Sequence, residues 1–174
     1  INIDIECTMK TLVRDVYPNI IHVGSGLNYE NIQAALDNID DSENHITIIV
    51  HPGTYPRFSM IRKLDAVYPW TNAPVRNVSI IGIDKYTCII KDDSGDYSTP
   101  PAEILTNGTI KNLSFISSHE NQSVNANKGS YAVHIDARPA GNTGYKMVFE
   151  NCLFNSSTAS AVGAGRSEER RVGK

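Results

Sequence analysis

The feature that most restricts this chain is a segment that occurs twice. Ile110-Lys111-Asn112-Leu113-Ser114-Phe115-Ile116-Ser117-Ser118 aligns without a gap on Phe149-Glu150-Asn151-Cys152-Leu153-Phe154-Asn155-Ser156-Ser157, and a shorter copy, Asn77-Val78-Ser79-Ile80, precedes both. The shared pattern is Asn, apolar, any residue, apolar, and the copies lie roughly 35 to 40 residues apart, within the range of solenoid repeats. Apolar residues two apart mark a strand with one buried face. A unit that holds strands but no helix cannot bury that face alone, whereas stacked units share a continuous core. The asparagine suits a coil corner, because it tolerates left-handed backbone angles and its amide can bond the next corner in the stack.

The rest of the chain agrees with such a stack. Ile32, Ala35, Leu36 and Ile39 recur at helical spacing and predict one short helix over residues 29–38, with Asn28 as its N-cap and Glu30 in its first turn. No second helical period follows. Short apolar runs bounded by Gly, Pro, Asn, Asp and Ser predict strands at 46–50, 78–81, 88–90, 103–105, 110–116, 131–135 and 146–154. Several of these are continuously apolar, as strands with little free face require. An open solenoid end exposes strand edges and core, so the helix just before the first strand is expected to plug the first coil. The expected architecture is an all-β parallel β-helix with a short N-terminal capping helix.

The organisation reads as a lead-in over 1–19, the β-helix over 20–165 with its helix at 29–38, and a charged tail over 166–174. That tail, Arg-Ser-Glu-Glu-Arg-Arg-Val-Gly-Lys, has almost nothing to bury and is read as foreign to the fold; the alternative is a natural charged tail. A foreign tail implies C-terminal truncation, and an uncovered last coil predicts aggregation.

Charge and composition exclude some partners. A net charge of −3 with 20% charged residues leaves no basic footprint for nucleic acid. No apolar run approaches the roughly 20 residues that cross a bilayer, so membrane insertion is not expected. Cys7, Cys88 and Cys152 are odd in number and far apart, which fits neither a disulfide framework nor a CxxC metal site. Cys88 and Cys152 lie in apolar runs and read as small hydrophobes.

Four segments in order carry a resemblance: Ile21-His22-Val23-Gly24, Asn31-Ile32-Gln33-Ala34-Ala35-Leu36, Ile48-Ile49-Val50-His51-Pro52-Gly53-Thr54-Tyr55 and Val78-Ser79-Ile80-Ile81-Gly82. Together they are similar to the opening of pectinesterases and their pectin-lyase-like relatives. The resemblance implies a right-handed parallel β-helix, a polysaccharide or cell-surface glycan as partner, and an extracellular, cell-surface or virion setting; the residues themselves leave the location open. Pro52 and Gly53 would turn a corner with one residue at positive φ, Tyr55 would lay its ring on the coil with its hydroxyl in solvent, and Gly82 would end a buried strand. Pectinesterases use a carboxylate nucleophile, a second carboxylate, glutamines and an arginine on neighbouring coils. The family's Gln-Ala-Val falls on Tyr131-Ala132-Val133, and its Gln-Asp pair on Thr158 and Ala159, so no aligned catalytic residue is present and de-esterification by this polypeptide is not expected.

The residues offer a different candidate site. Tyr131, His134, Asp136 and Arg138 combine an acid/base group, a carboxylate and a cation near one strand end, with His134 and Asp136 on one face. A solvent-facing row of this kind suits sugar hydroxyls, and Trp70, the sole tryptophan, offers a stacking platform in a loop. The bland counterparts are an exposed charged strand end and a loop packed on its scaffold. Asp92, Asp93 and Asp96 read as a solvated acidic turn, since the spacing of a calcium loop is absent. His51, before Pro52, and His119, beside Glu120, have no partner at metal-ligand spacing and read as structural or solvated. Neither metal nor cofactor is expected. Three functional readings stay open: a carbohydrate-directed module, a structural phage or cell-surface appendage, and a fragment of a polysaccharide-active enzyme whose active coils lie beyond residue 165. Each is compatible with an oligomer.

Overall fold

The computed structural model describes residues 19–39, 45–60, 78–92, 100–104, 108–117, 131–135, 147–156 and 162–164. β1 (Ile20–Val23) leads into α1 (Ile32–Asp37), and the chain then makes four similar passes. The first contains β2 (Ile46–Val50), β3 (Gly53–Tyr55) and β4 (Phe58–Ser59). The second contains β5 (Val78–Gly82), β6 (Cys88–Asp92) and β7 (Ala102–Ile104). β8 (Gly108–Lys111), β9 (Ser114–Ser117) and β10 (Val133–Ile135) make the third, and β11 (Met147–Glu150), β12 (Leu153–Ser156) and β13 (Val162–Ala164) the fourth.

Each pass contributes one strand to each of three sheets, ordered β1-β2-β5-β8-β11, β3-β6-β9-β12 and β4-β7-β10-β13. Every pairing between these strands is parallel. Successive passes stacked in three all-parallel sheets make the fold β-helix-like.

The in-register stacking turns each inward position into a column. Ile21, Ile48, Ile80, Ile110 and Phe149 are successive partners in the first sheet. Tyr55, Ile90, Phe115 and Phe154 form the equivalent column in the second. Ile48, Ile80, Ile110, Ile90 and Phe115 are fully buried, and each such side chain stabilises the fold by about 1.5–3 kcal/mol relative to an exposed one. In the fourth pass, Met147, Phe149, Cys152 and Phe154 are only partly buried against this core, and among the described residues no strand pairs with the far edges of β11, β12 and β13.

The two long expected strands, 110–116 and 146–154, are each two strands with a corner between them. Asn112 and Asn151 turn the chain there with φ of 56° and 52°. The apolar run continues through each corner because both flanking strands face the same core. Asn151 Nδ2 donates to Asn112 Oδ1 at 2.8 Å, and Asn112 Nδ2 donates to the Gly82 carbonyl at 3.2 Å. The expected corner ladder is therefore present at these two positions. The shorter copy does not belong to it: Val78-Ser79-Ile80 lies in the first sheet beside β2, whereas Ser114 and Phe115 lie in the second beside β6. Gly82 occupies the position below Asn112, and Asn77 lies outside the described residues.

Replacing Asn112 by Ala should cost about 2–3 kcal/mol, from ~1–2 kcal/mol of left-handed backbone strain and ~1 kcal/mol of lost hydrogen bonding. Asn112→Gly keeps the backbone angle and should cost about half as much. Urea midpoints at constant m measure both; equal losses would mean that the amide alone sets the corner.

The helix starts later than its sequence pattern predicts. Its N-cap is Asn31, whose side chain accepts from Ala34 N–H at 2.8 Å, so Asn28 and Glu30 both precede the helix. Residue 31 stands directly before the buried face of Ile32, Ala35 and Leu36, where its carboxamide reaches the third residue of the helix. Two further expectations change at the 51–55 corner. Gly53 is not among the described residues with positive φ. Tyr55 is buried, and its hydroxyl donates to the His51 carbonyl at 2.6 Å instead of reaching solvent. β1, β3, β4 and β13 have no counterpart in the expected strands; β1 has four residues and the other three have three or fewer, too short to leave a pattern in the sequence.

Candidate functional site

The sheet of β4, β7, β10 and β13 positions the sequence-predicted site. In β10, Val133 is paired with Ala102 and buried in the core, so His134 projects to the opposite face. Register places Ser59, Glu103, His134 and Gly163 side by side across the four strands. A polar row one residue out of phase with a buried apolar row follows from the two-residue period of a strand.

Glu103 Oε1 stands 3.8 Å from His134 Nδ1, with side chains 15% and 7% exposed. That separation exceeds a hydrogen bond, and His134 Nδ1 is buried without a hydrogen-bond partner. The ring of Tyr131 stacks on His134 with centroids 6.0 Å apart and planes 23° from parallel. At the β4 end of the row, Ser59 N–H donates to Gln33 Oε1 of α1 at 2.7 Å, which ties the helix to this sheet. A tyrosine stacked on this imidazole supplies both a ring face and a hydroxyl.

Tyr131 and His134 are thus together, but His134 is 6% exposed and does not line a solvent-facing row. Asp136, Arg138 and Trp70 lie outside the described residues, as do Thr158, Ala159, His119, Asp93 and Asp96. Glu103 was not singled out from the sequence. Its signal is the register alone: it sits one pass below His134, which residue spacing does not reveal until the coils are aligned.

Among the described residues no three His, Cys, Asp or Glu side chains gather as a metal site. Two imidazoles do meet elsewhere: His22 Nδ1 and His51 Nε2 are 2.9 Å apart, with ring centroids separated by 5.2 Å. Burial, and then the neighbouring His51, hold His22 below its ordinary pKa of 6.5. Cys88 is fully buried with its Sγ 3.3 Å from the Val50 carbonyl. Burial pushes the Cys152 thiol up, which keeps it protonated and a poor nucleophile.

No family model matches the chain, and no curated protein matches its sequence. Among solved structures, the chain is similar to the pectin methylesterase from Aspergillus niger, with a TM-score of 0.54 and 16% identity over 84% of this chain and 50% of that one. The chain therefore spans about half the length of that structure. At this identity the likeness concerns architecture, and it shows a parallel-sheet fold of the pectinesterase-like kind.

Proposed function

We propose that this chain is a carbohydrate-directed module on a closed, right-handed parallel β-helix whose first coil is covered by α1. The observation that carries the reading is the half-buried Tyr131 ring stacked on the buried His134 beside Glu103, in a pectinesterase-like fold. The covering role of α1 is supported by its contacts with β1, β2 and β4 and by the complete burial of Ile32, Ala35 and Leu36. Tyr131 offers a sugar its ring, and Asp136 and Arg138, which follow it in the sequence, would meet hydroxyls or carboxylates. Trp70 provides a second stacking surface.

Affinity electrophoresis and calorimetry on polygalacturonate and methyl-esterified pectin test the proposal. Retention is expected, and Tyr131→Ala or Trp70→Ala should weaken it by about 1 kcal/mol each, roughly fivefold. Unchanged affinity in both variants would remove these residues from the site. De-esterification is not part of the proposal, because Tyr131, Thr158 and Ala159 stand where pectinesterases carry glutamine and carboxylate. The competing reading is a stiff structural spacer, favoured by the burial of His134. Absence of retention on every polysaccharide tried would decide for it.

A further inference from the structure

The His22–His51 pair lies apart from the Tyr131–His134 row, in the first sheet. His22 is on β1 in register with Ile49, and His51 is the first residue after β2 ends at Val50, so the imidazoles are diagonal neighbours between β1 and the corner that follows β2. Both are partly exposed. Their backbones are held: His51 N–H donates to the Val23 carbonyl at 2.9 Å, and the His51 carbonyl accepts the Tyr55 hydroxyl at 2.6 Å. A Cβ at Gly24 would come within 3.0 Å of His51 Cβ, so the glycine makes room for the imidazole to lie over this turn.

We propose that His22 and His51 form a two-imidazole chelate for a borderline divalent transition-metal ion, copper(II) and nickel(II) ahead of zinc(II). Imidazole nitrogens bind such ions at about 2.0–2.1 Å, so two ligands at right angles lie about 2.9 Å apart and two tetrahedral ligands about 3.3 Å apart. The observed separation of 2.9 Å is that of an N–H···N hydrogen bond, and with ring centroids 5.2 Å apart the two nitrogens point straight at each other. A metal ion would displace the shared proton, and rotation of the two rings, with neither strand moving, would turn the nitrogens onto it. The nitrogens that face each other are the ones a metal would take: His22 through Nδ1, with its proton on Nε2, and His51 through Nε2, with its proton on Nδ1. Neutral imidazole suits these ions, whereas calcium and magnesium demand oxygen ligands that the pair does not supply. Water completes the coordination shell on the exposed side. The 29 residues between the two histidines are the 27-residue offset of the β1–β2 register, His22 to Ile49, plus two, not a local ligand motif, which is why only stacking brings them together.

Calorimetric titration of the full chain, cleared of metal with a chelator, with nickel(II) tests the chelate. One equivalent is expected to bind. His22→Gln and His51→Gln should each weaken binding by about 10-fold or more, since losing a ligand costs at least as much as losing an outer-shell partner. His45→Gln should leave it unchanged. A wild-type measurement covers the case in which a variant does not fold: substoichiometric nickel(II) should broaden the imidazole resonances of His22 and His51 first. Absence of stoichiometric binding, wild-type affinity in either folded variant, or broadening centred on His45 or His134 would each overturn the proposal.

Discussion

Replacing Phe115 by Ala is expected to remove about 3–5 kcal/mol of stability, the usual range for deleting a buried phenyl ring from a core that cannot collapse around the gap. Phe115 has no exposed surface and is in register with Ile90 below and Phe154 above. Its ring lies parallel to Phe154 at 5.6 Å and tilted to Phe58 at 6.3 Å, so it links the second sheet to the third. Total stabilities are typically 5–15 kcal/mol, and the variant would lose a large share of that. Phe115→Leu, which restores most of the volume, should cost under about 1.5 kcal/mol. Phe154→Ala should cost less than Phe115→Ala, because Phe154 is only partly buried and has no partner above it among the described strands. Urea unfolding of the three variants gives the order directly. If Phe154→Ala proved as costly as Phe115→Ala, the fourth pass would have to be covered in solution.

This contrast between the third and fourth passes also explains what could be read from the sequence. The nine-residue match placed Asn112 and Asn151 at equivalent corners, and their left-handed backbones and amide ladder follow from what asparagine tolerates. The apolar runs located β2, β5 and β6 because apolar residues fill the half-buried positions between the buried ones as well, as at Ile49, Ile81 and Ile89. The shorter copy differs, with Val78-Ser79-Ile80 in the first sheet, because a short apolar-any-apolar pattern occurs wherever a strand begins, and only backbone pairing distinguishes one side of the coil from the next. The site divides in the same way. Tyr131 and His134 are neighbours in sequence and were found together, whereas Glu103 beside His134 and His22 beside His51 depend on which pass lies against which. The burial of His134 was illegible for a related reason, since strand alternation gives the face a side chain points to but not what covers that face.

Gly108→Ala is the second substitution expected to be severe, at about 2–6 kcal/mol, because two independent costs meet at one position. Its φ of +149° is one that side-chain-bearing residues rarely adopt, worth ~1–3 kcal/mol. A Cβ there would stand 1.8 Å from the Val78 carbonyl oxygen and 2.7 Å from its carbon, and overpacking of this kind adds ~1–3 kcal/mol. Two other glycines separate the causes. Gly26 has φ +71° with nothing within 4 Å of an added Cβ, so Gly26→Ala should cost only about 1 kcal/mol of backbone strain. At Gly82 no positive φ is involved, but a Cβ would meet the Asn112 carbonyl oxygen at 2.2 Å, leaving the steric part alone. Thermal and urea midpoints should therefore fall in the order Gly108→Ala, Gly82→Ala, Gly26→Ala, and equal losses at Gly26 and Gly108 would exclude the close approach as a cause. The physical reason lies in the stacking distance. Neighbouring strands are about 4.8 Å apart, so a methyl group directed along the stack towards Val78 has no free volume, and β8 can start against β5 only where the side chain is a hydrogen atom.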